Sequence, residues 1–196
     1  MKGFLAGVVF AILAILAGGY FLLKQGYVSF AADTKPSETE EKWAMAAVDA
    51  STDRHAPDAK NPLAGSEENL TAGAKLYLNH CAGCHGVPSN PASVFAQSFN
   101  PPAPGFFQDA PDMPENQNFY IIQHGIRWTG MPAWGQTLND AQTWQIVTFL
   151  SNLEKLPPAA KQVFEPVAAA QPTDSTAAAP GSSGHSMHNM PMPHSH

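Results

Sequence analysis

Two thiols and an imidazole stand together at Cys81-Ala82-Gly83-Cys84-His85. Thiols at this spacing can add across the two vinyl groups of one porphyrin. The imidazole beside the second thiol then lies under the ring, where a nitrogen can bind the iron. C-x-x-C-H therefore points to one covalently attached haem c, with Cys81 and Cys84 as attachment points and His85 as an axial ligand. A dithiol redox pair would not need the histidine, and a zinc site would need two more ligands at matched spacing. The chain has two cysteines in all, so no disulfide competes for them.

Haem iron has a second axial position, and a thioether opposite histidine raises the reduction potential. Met131 is the candidate, within Gly125-Ile126-Arg127-Trp128-Thr129-Gly130-Met131-Pro132-Ala133-Trp134-Gly135. Gly130 lets the backbone approach a ring closely, Pro132 stiffens the loop, and Trp134 can close the haem edge against water. Met113, between Asp112 and Pro114, is a weaker candidate that reads as part of an exposed loop; His124 is the main rival, and it reads as a surface or propionate-side histidine.

Helices must hold these groups. Ser66 can cap one running to about His80, with Glu67 and Glu68 in its first turn where the helix dipole favours acids. Leu70, Gly73, Leu76 and Tyr77 share one face of it. Asp140 can cap another to about Leu153, apolar over a broad face through Trp144, Ile146, Val147, Phe149, Leu150 and Leu153. A third is expected from Glu115 to His124, with Phe119, Ile121 and Ile122 inward. Phe95, Phe99, Phe106 and Phe107, in the stretch between Val87 and Pro114, suit the packing of a haem pocket.

Residues from about Asn61 to Leu156 resemble a class I mono-haem cytochrome c domain. The likeness is to the cytochrome c domains of cbb3-type oxidase third subunits and related membrane-anchored periplasmic carriers. It rests on Ala72 to Tyr77, Cys81 to Gly86, Thr129 to Trp134 and Trp144 to Leu150, in the family's order. The resemblance implies an all-α fold around one haem, with His85 proximal and Met131 distal. It implies single-electron transfer between redox proteins, not bond-making catalysis. It also implies that Gly73 lets the two terminal helices cross closely, with Tyr77 and Phe149 at the contact. A proline carbonyl, of Pro101 or Pro102, would bond the free nitrogen of His85 and fix its ring. The chain departs from many relatives after His85, where Pro and Asn replace a glycine-rich loop.

Outside this domain, expected over residues 66–157, the chain changes character. Gly3 to Leu23 carries no charge and would cross a bilayer as a helix of about 32 Å. It reads as a transmembrane anchor over residues 1–24. The rival is a cleavable signal with a site at Ser29-Phe30-Ala31, but a signal's apolar core is usually about 7–15 residues. A single lysine on each side leaves the charge rule balanced. The resemblance implies haem attachment on the outer side, which would set the orientation: single-pass in the inner membrane, domain in the periplasm. Residues 25–65 read as a tether, with a short helix capped by Ser37 and carrying Trp43, Met45 and Val48. As a flexible coil, the tether would span about 35 Å in root-mean-square terms.

Residues 158–196 read as a disordered, Ala/Pro-rich tail. Its end gathers His185, Met187, His188, Met190, Met192, His194 and His196 with no lysine or arginine among them. Thioethers suit Cu(I) and imidazoles suit Cu(II) and zinc, so a copper-handling or redox-sensing protein is the alternative reading. A net charge of −6 with no basic run excludes a nucleic-acid partner from the expectations. No nucleophile triad, phosphate-binding loop or paired carboxylates in matching context point to an enzyme. Within the domain, acids outnumber Lys75, Arg127 and Lys155, so charge steering would favour a partner with a positive rim.

Overall fold

The computed structural model describes residues 2–90 and 93–166. It is all-helical, and among the described residues the only β-type pairing is an isolated bridge between Val87 and Asn90. α1 (Lys2–Lys24) is apolar between its terminal lysines and has no buried residue, and 23 residues make it long enough to cross a membrane. α2 (Glu38–His55) begins at Ser37, whose hydroxyl accepts from the Glu40 N–H. It extends past Val48, the expected end, by two turns.

The domain is built on the crossing of α3 (Glu67–His80) and α7 (Asp140–Leu150). Ser66 caps α3 by accepting from Asn69 N–H. α7 is capped one residue earlier than the sequence suggested. Asn139, not Asp140, accepts from the Gln142 N–H, and the Gln142 side chain returns a bond to the Asn139 N–H. The helix ends at Leu150, and a 3-10 turn (Leu153–Lys155) takes the stretch expected to prolong it.

Gly73 sets how closely the pair approaches. A Cβ there would collide with the Gln145 carbonyl oxygen and stand 2.7 Å from the Phe149 Cβ. With that atom absent, Tyr77 and Phe149 meet with ring centroids 5.2 Å apart. Leu70, Ala74, Ile146, Val147 and Leu150 complete a buried core. α6 (Glu115–His124) packs on α7 and stacks Phe119 against Trp144, centroids 4.3 Å apart.

The packed domain does not stop at residue 157. α8 (Pro158–Gln162) starts with proline in its first turn, and Ala160 and Phe164 are buried. Phe164 lies against Tyr77, Phe107 and Phe149. The apolar pair at i and i+4 was masked by the Ala/Pro-rich composition around it. On the other side, Thr52 is already buried, so packing reaches upstream of residue 66.

Candidate haem site

Cys81, Cys84 and His85 are brought together by one helical turn. α4 (Ala82–His85) follows α3 directly, and Cys84 N–H and His85 N–H both donate to the Cys81 carbonyl. Both thiols are free of any disulfide. The Tyr77 hydroxyl donates to the Gly86 carbonyl at 2.8 Å, tying this turn to the helix crossing.

His85 is only 8% exposed, and its Nδ1 lies 2.9 Å from the Pro104 carbonyl. A carbonyl can only accept, so Nδ1 carries the proton and Nε2 keeps its lone pair. Burial lowers the His85 pKa, against a smaller opposing effect of the Pro104 bond, so the imidazole is neutral, as a metal ligand must be. Phe106 stacks on the ring, centroids 4.1 Å apart and planes at 6°, and its N–H donates to the His85 carbonyl. The acceptor comes from the proline-rich loop expected, but the residue is Pro104, not Pro101 or Pro102. Three prolines share that loop, and only the fold selects among them.

Burial, with Cys84 nearby, pushes the Cys81 thiol up to about 12. Cys84 is half-buried. Two free thiols beside one buried imidazole whose Nε2 keeps its lone pair form a donor set that fits covalent haem.

Met131 is held differently. Its loop doubles back on the end of α6. Ile126 N–H donates to the Met131 carbonyl at 3.2 Å, Met131 N–H donates to Thr129 Oγ1, and that hydroxyl donates to the Ile126 carbonyl. Trp134 N–H and Gly135 N–H reach the Ile122 and Gln123 carbonyls. Gly125 turns at φ 65°, and a Cβ there would stand 2.7 Å from the Met131 carbonyl oxygen. The half-buried Met131 side chain packs on the apolar cluster that includes Cys81. Gly130 is required by Phe99, which fills the space a Cβ would take.

Trp134 is half-buried with its ring against His80, whereas Trp128 is 91% exposed. Trp128 adopts φ 63°, a conformation that costs a non-glycine residue about 1–3 kcal/mol. His124 is exposed with its ring tilted against Tyr120, and the half-buried Met113 offers its carbonyl to Asn118. Of the four phenylalanines after the thiols, Phe106 and Phe107 pack inward, Phe99 meets Gly130, and Phe95, on the one-turn helix α5 (Val94–Gln97), is exposed. The seven tail histidines and methionines lie outside the described residues.

Residues 68–150 match the family model of cytochrome c oxidase, cbb3-type, subunit III. This is a cbb3-type cytochrome c domain. The match runs from the first turn of α3 to the last residue of α7 and takes in the thiols, His85 and the Met131 loop. A cytochrome c domain carries covalent haem c and transfers electrons, alone or as an oxidase subunit. Neither the curated proteins nor the solved structures gave a match. Sequence reasoning missed two features of the cytochrome domain: the Pro104 carbonyl and the tie of Tyr77 to Gly86. The first is a backbone atom that no motif marks. The second could have been suspected from a tyrosine on an otherwise apolar helix face, since a buried hydroxyl needs a partner.

Proposed function

We propose that the chain is a single-pass, membrane-anchored mono-haem cytochrome c that relays single electrons in a periplasmic respiratory chain. The bond from His85 Nδ1 to the Pro104 carbonyl carries this reading, because it leaves Nε2 as the one nitrogen of a buried, neutral imidazole available to iron. Cys81 and Cys84 would hold the haem by thioethers, with His85 and Met131 as axial ligands. When bound, the haem supplies one-electron exchange at its iron; the chain supplies ligation, burial and docking.

α1 supports the anchor, and thioether attachment on the outer side supports a periplasmic domain. Trp128 and the exposed Pro132 and Ala133 form an apolar rim on the loop of Met131, suited to the small contacts redox partners make. The domain's acids would steer a partner with a positive rim, more strongly at low salt.

The test is to purify the full chain from membranes and extract it with acidified organic solvent. One haem per chain that stays on the polypeptide, and a reduced spectrum indifferent to carbon monoxide, are expected of a carrier with both axial positions filled. Haem that leaves the chain would overturn the attachment, and a carbon monoxide adduct would favour an enzyme with an open position.

The tail's seven His and Met side chains favour a second reading, copper handling. Copper titration of the full chain against a form ending at Ala179 separates the two. Equal uptake by both forms leaves a plain carrier, while loss of uptake with the tail supports copper handling.

A further inference from the structure

An 18-residue helix in water is marginal by itself, and its order in a protein comes mostly from packing. α2 has such packing only toward its C-terminal end. Its last two turns and the residues just after them lie on the haem domain. Thr52 is buried and donates to the Val48 carbonyl. The Gln117 amide on α6 donates to Asp53, and the Asn116 amide donates to the Pro57 carbonyl at 3.0 Å. The ring of His55 stacks over Tyr120. Asn61 joins three elements with one side chain. Its amide donates to Thr148 on α7 at 2.9 Å and to Glu115 on α6 at 3.3 Å, while its oxygen accepts from Leu63 N–H. Ahead of α2, the Asn100 amide donates to the Thr34 carbonyl at 3.3 Å. Trp43 faces away from Thr52 around the helix and is 73% exposed, so it is no part of this contact.

We propose that residues 34–61 are a clasp that fastens the tether to the cytochrome domain as a rigid strut, so that strut and domain move as one body. The stretch left to act as a leash is then residues 25–33. Nine flexible residues span about 16 Å in root-mean-square terms, under half the reach of a tether that is flexible throughout. The partner that suits so short a leash is a redox protein embedded in the same membrane beside α1, not one met at a distance. That consequence rests on the anchored reading above; the clasp itself does not.

Hydrogen exchange on the full, haem-loaded chain tests the clasp directly. Amides 48–55 should be protected in the parent. Asn116→Ala with Gln117→Ala should cut that protection about tenfold or more, because each removes a hydrogen bond across the contact, while α3 and α7 keep theirs. The single change Gln117→Ala reads the same contact through one exposed bond, leaves the core untouched, and should give a smaller loss at the same amides. Amides 48–55 exchanging at the rate of unstructured chain in the parent would overturn the clasp, as would variants that exchange like the parent. Failure of the anchored reading shows separately, as a mature chain that begins after Ala31.

Discussion

The two sides of the haem site are held by different means. The His85 side hangs from a helix crossing. α3 meets α7 at Gly73, Tyr77 reaches from that crossing to Gly86, and the thiols and imidazole follow within one turn. The Met131 side hangs from backbone bonds between a loop and the end of α6. One proposed ligand, His85, is thus positioned by the core of the domain, and the other, Met131, by a local knot that the core tolerates. A perturbation of the first should be global and a perturbation of the second local.

Gly73→Val should show the largest effect. Its side chain must enter space held by the Gln145 carbonyl and Phe149, neither of which can turn aside. Forcing the helices apart should cost about 3 kcal/mol or more. Denaturant unfolding followed by helix content would read this, and parent-like stability would break the comparison at its firmer side.

Gly125→Ala should cost less and act elsewhere. With φ 65° and ψ −173°, Gly125 occupies backbone space essentially reserved for glycine, which costs an alanine about 1–3 kcal/mol, and the new methyl meets the Met131 carbonyl. The expected result is a weakened near-infrared charge-transfer band of sulfur ligation in the ferric protein, with helix content kept. An unchanged band with lost helix content would reverse the two roles.

Tyr77→Phe sharpens the comparison with a smaller change. It leaves the buried Gly86 carbonyl without its donor, at a cost of about 1–2 kcal/mol near neutral pH. Burial, with a smaller contribution from Cys81, raises the Tyr77 pKa above its ordinary value of about 10. Since the folded value is the higher one, stability is fully present below pH ~10 and is lost as pH rises above it. The phenylalanine variant lacks that group, so its stability should fall less steeply from pH 9 to 11. Parallel curves for the two proteins would remove Tyr77 from the account.

Much of the site could be read from the sequence because its signals are local. The thiols and His85 share one turn, Gly130 and Pro132 flank Met131, and α3 and α7 show their apolar faces in their spacing. The remainder depends on contacts between distant segments. Pro101, Pro102 and Pro104 look alike along the chain, and only the fold brings the Pro104 carbonyl to His85. Asn139, not the expected Asp140, caps α7, and the glutamine three residues after it is the mark that distinguishes the two. Phe164 stood in a stretch whose composition suggests disorder, yet it closes the aromatic cluster around Tyr77. Asn61 and Asn116 belong to no periodic pattern, so the fastening of the tether left no trace in the sequence.

The central claim is that His85 and Met131 are the axial ligands of one covalent haem. The most direct measurement is the reduction potential and ferric near-infrared spectrum of the full chain beside Met131→His. The parent should show the sulfur band. The variant should lose it and fall in potential, by some part of the ~0.8 V range that axial ligands command. A variant with the parent's band and potential would contradict the account and place another residue on the iron.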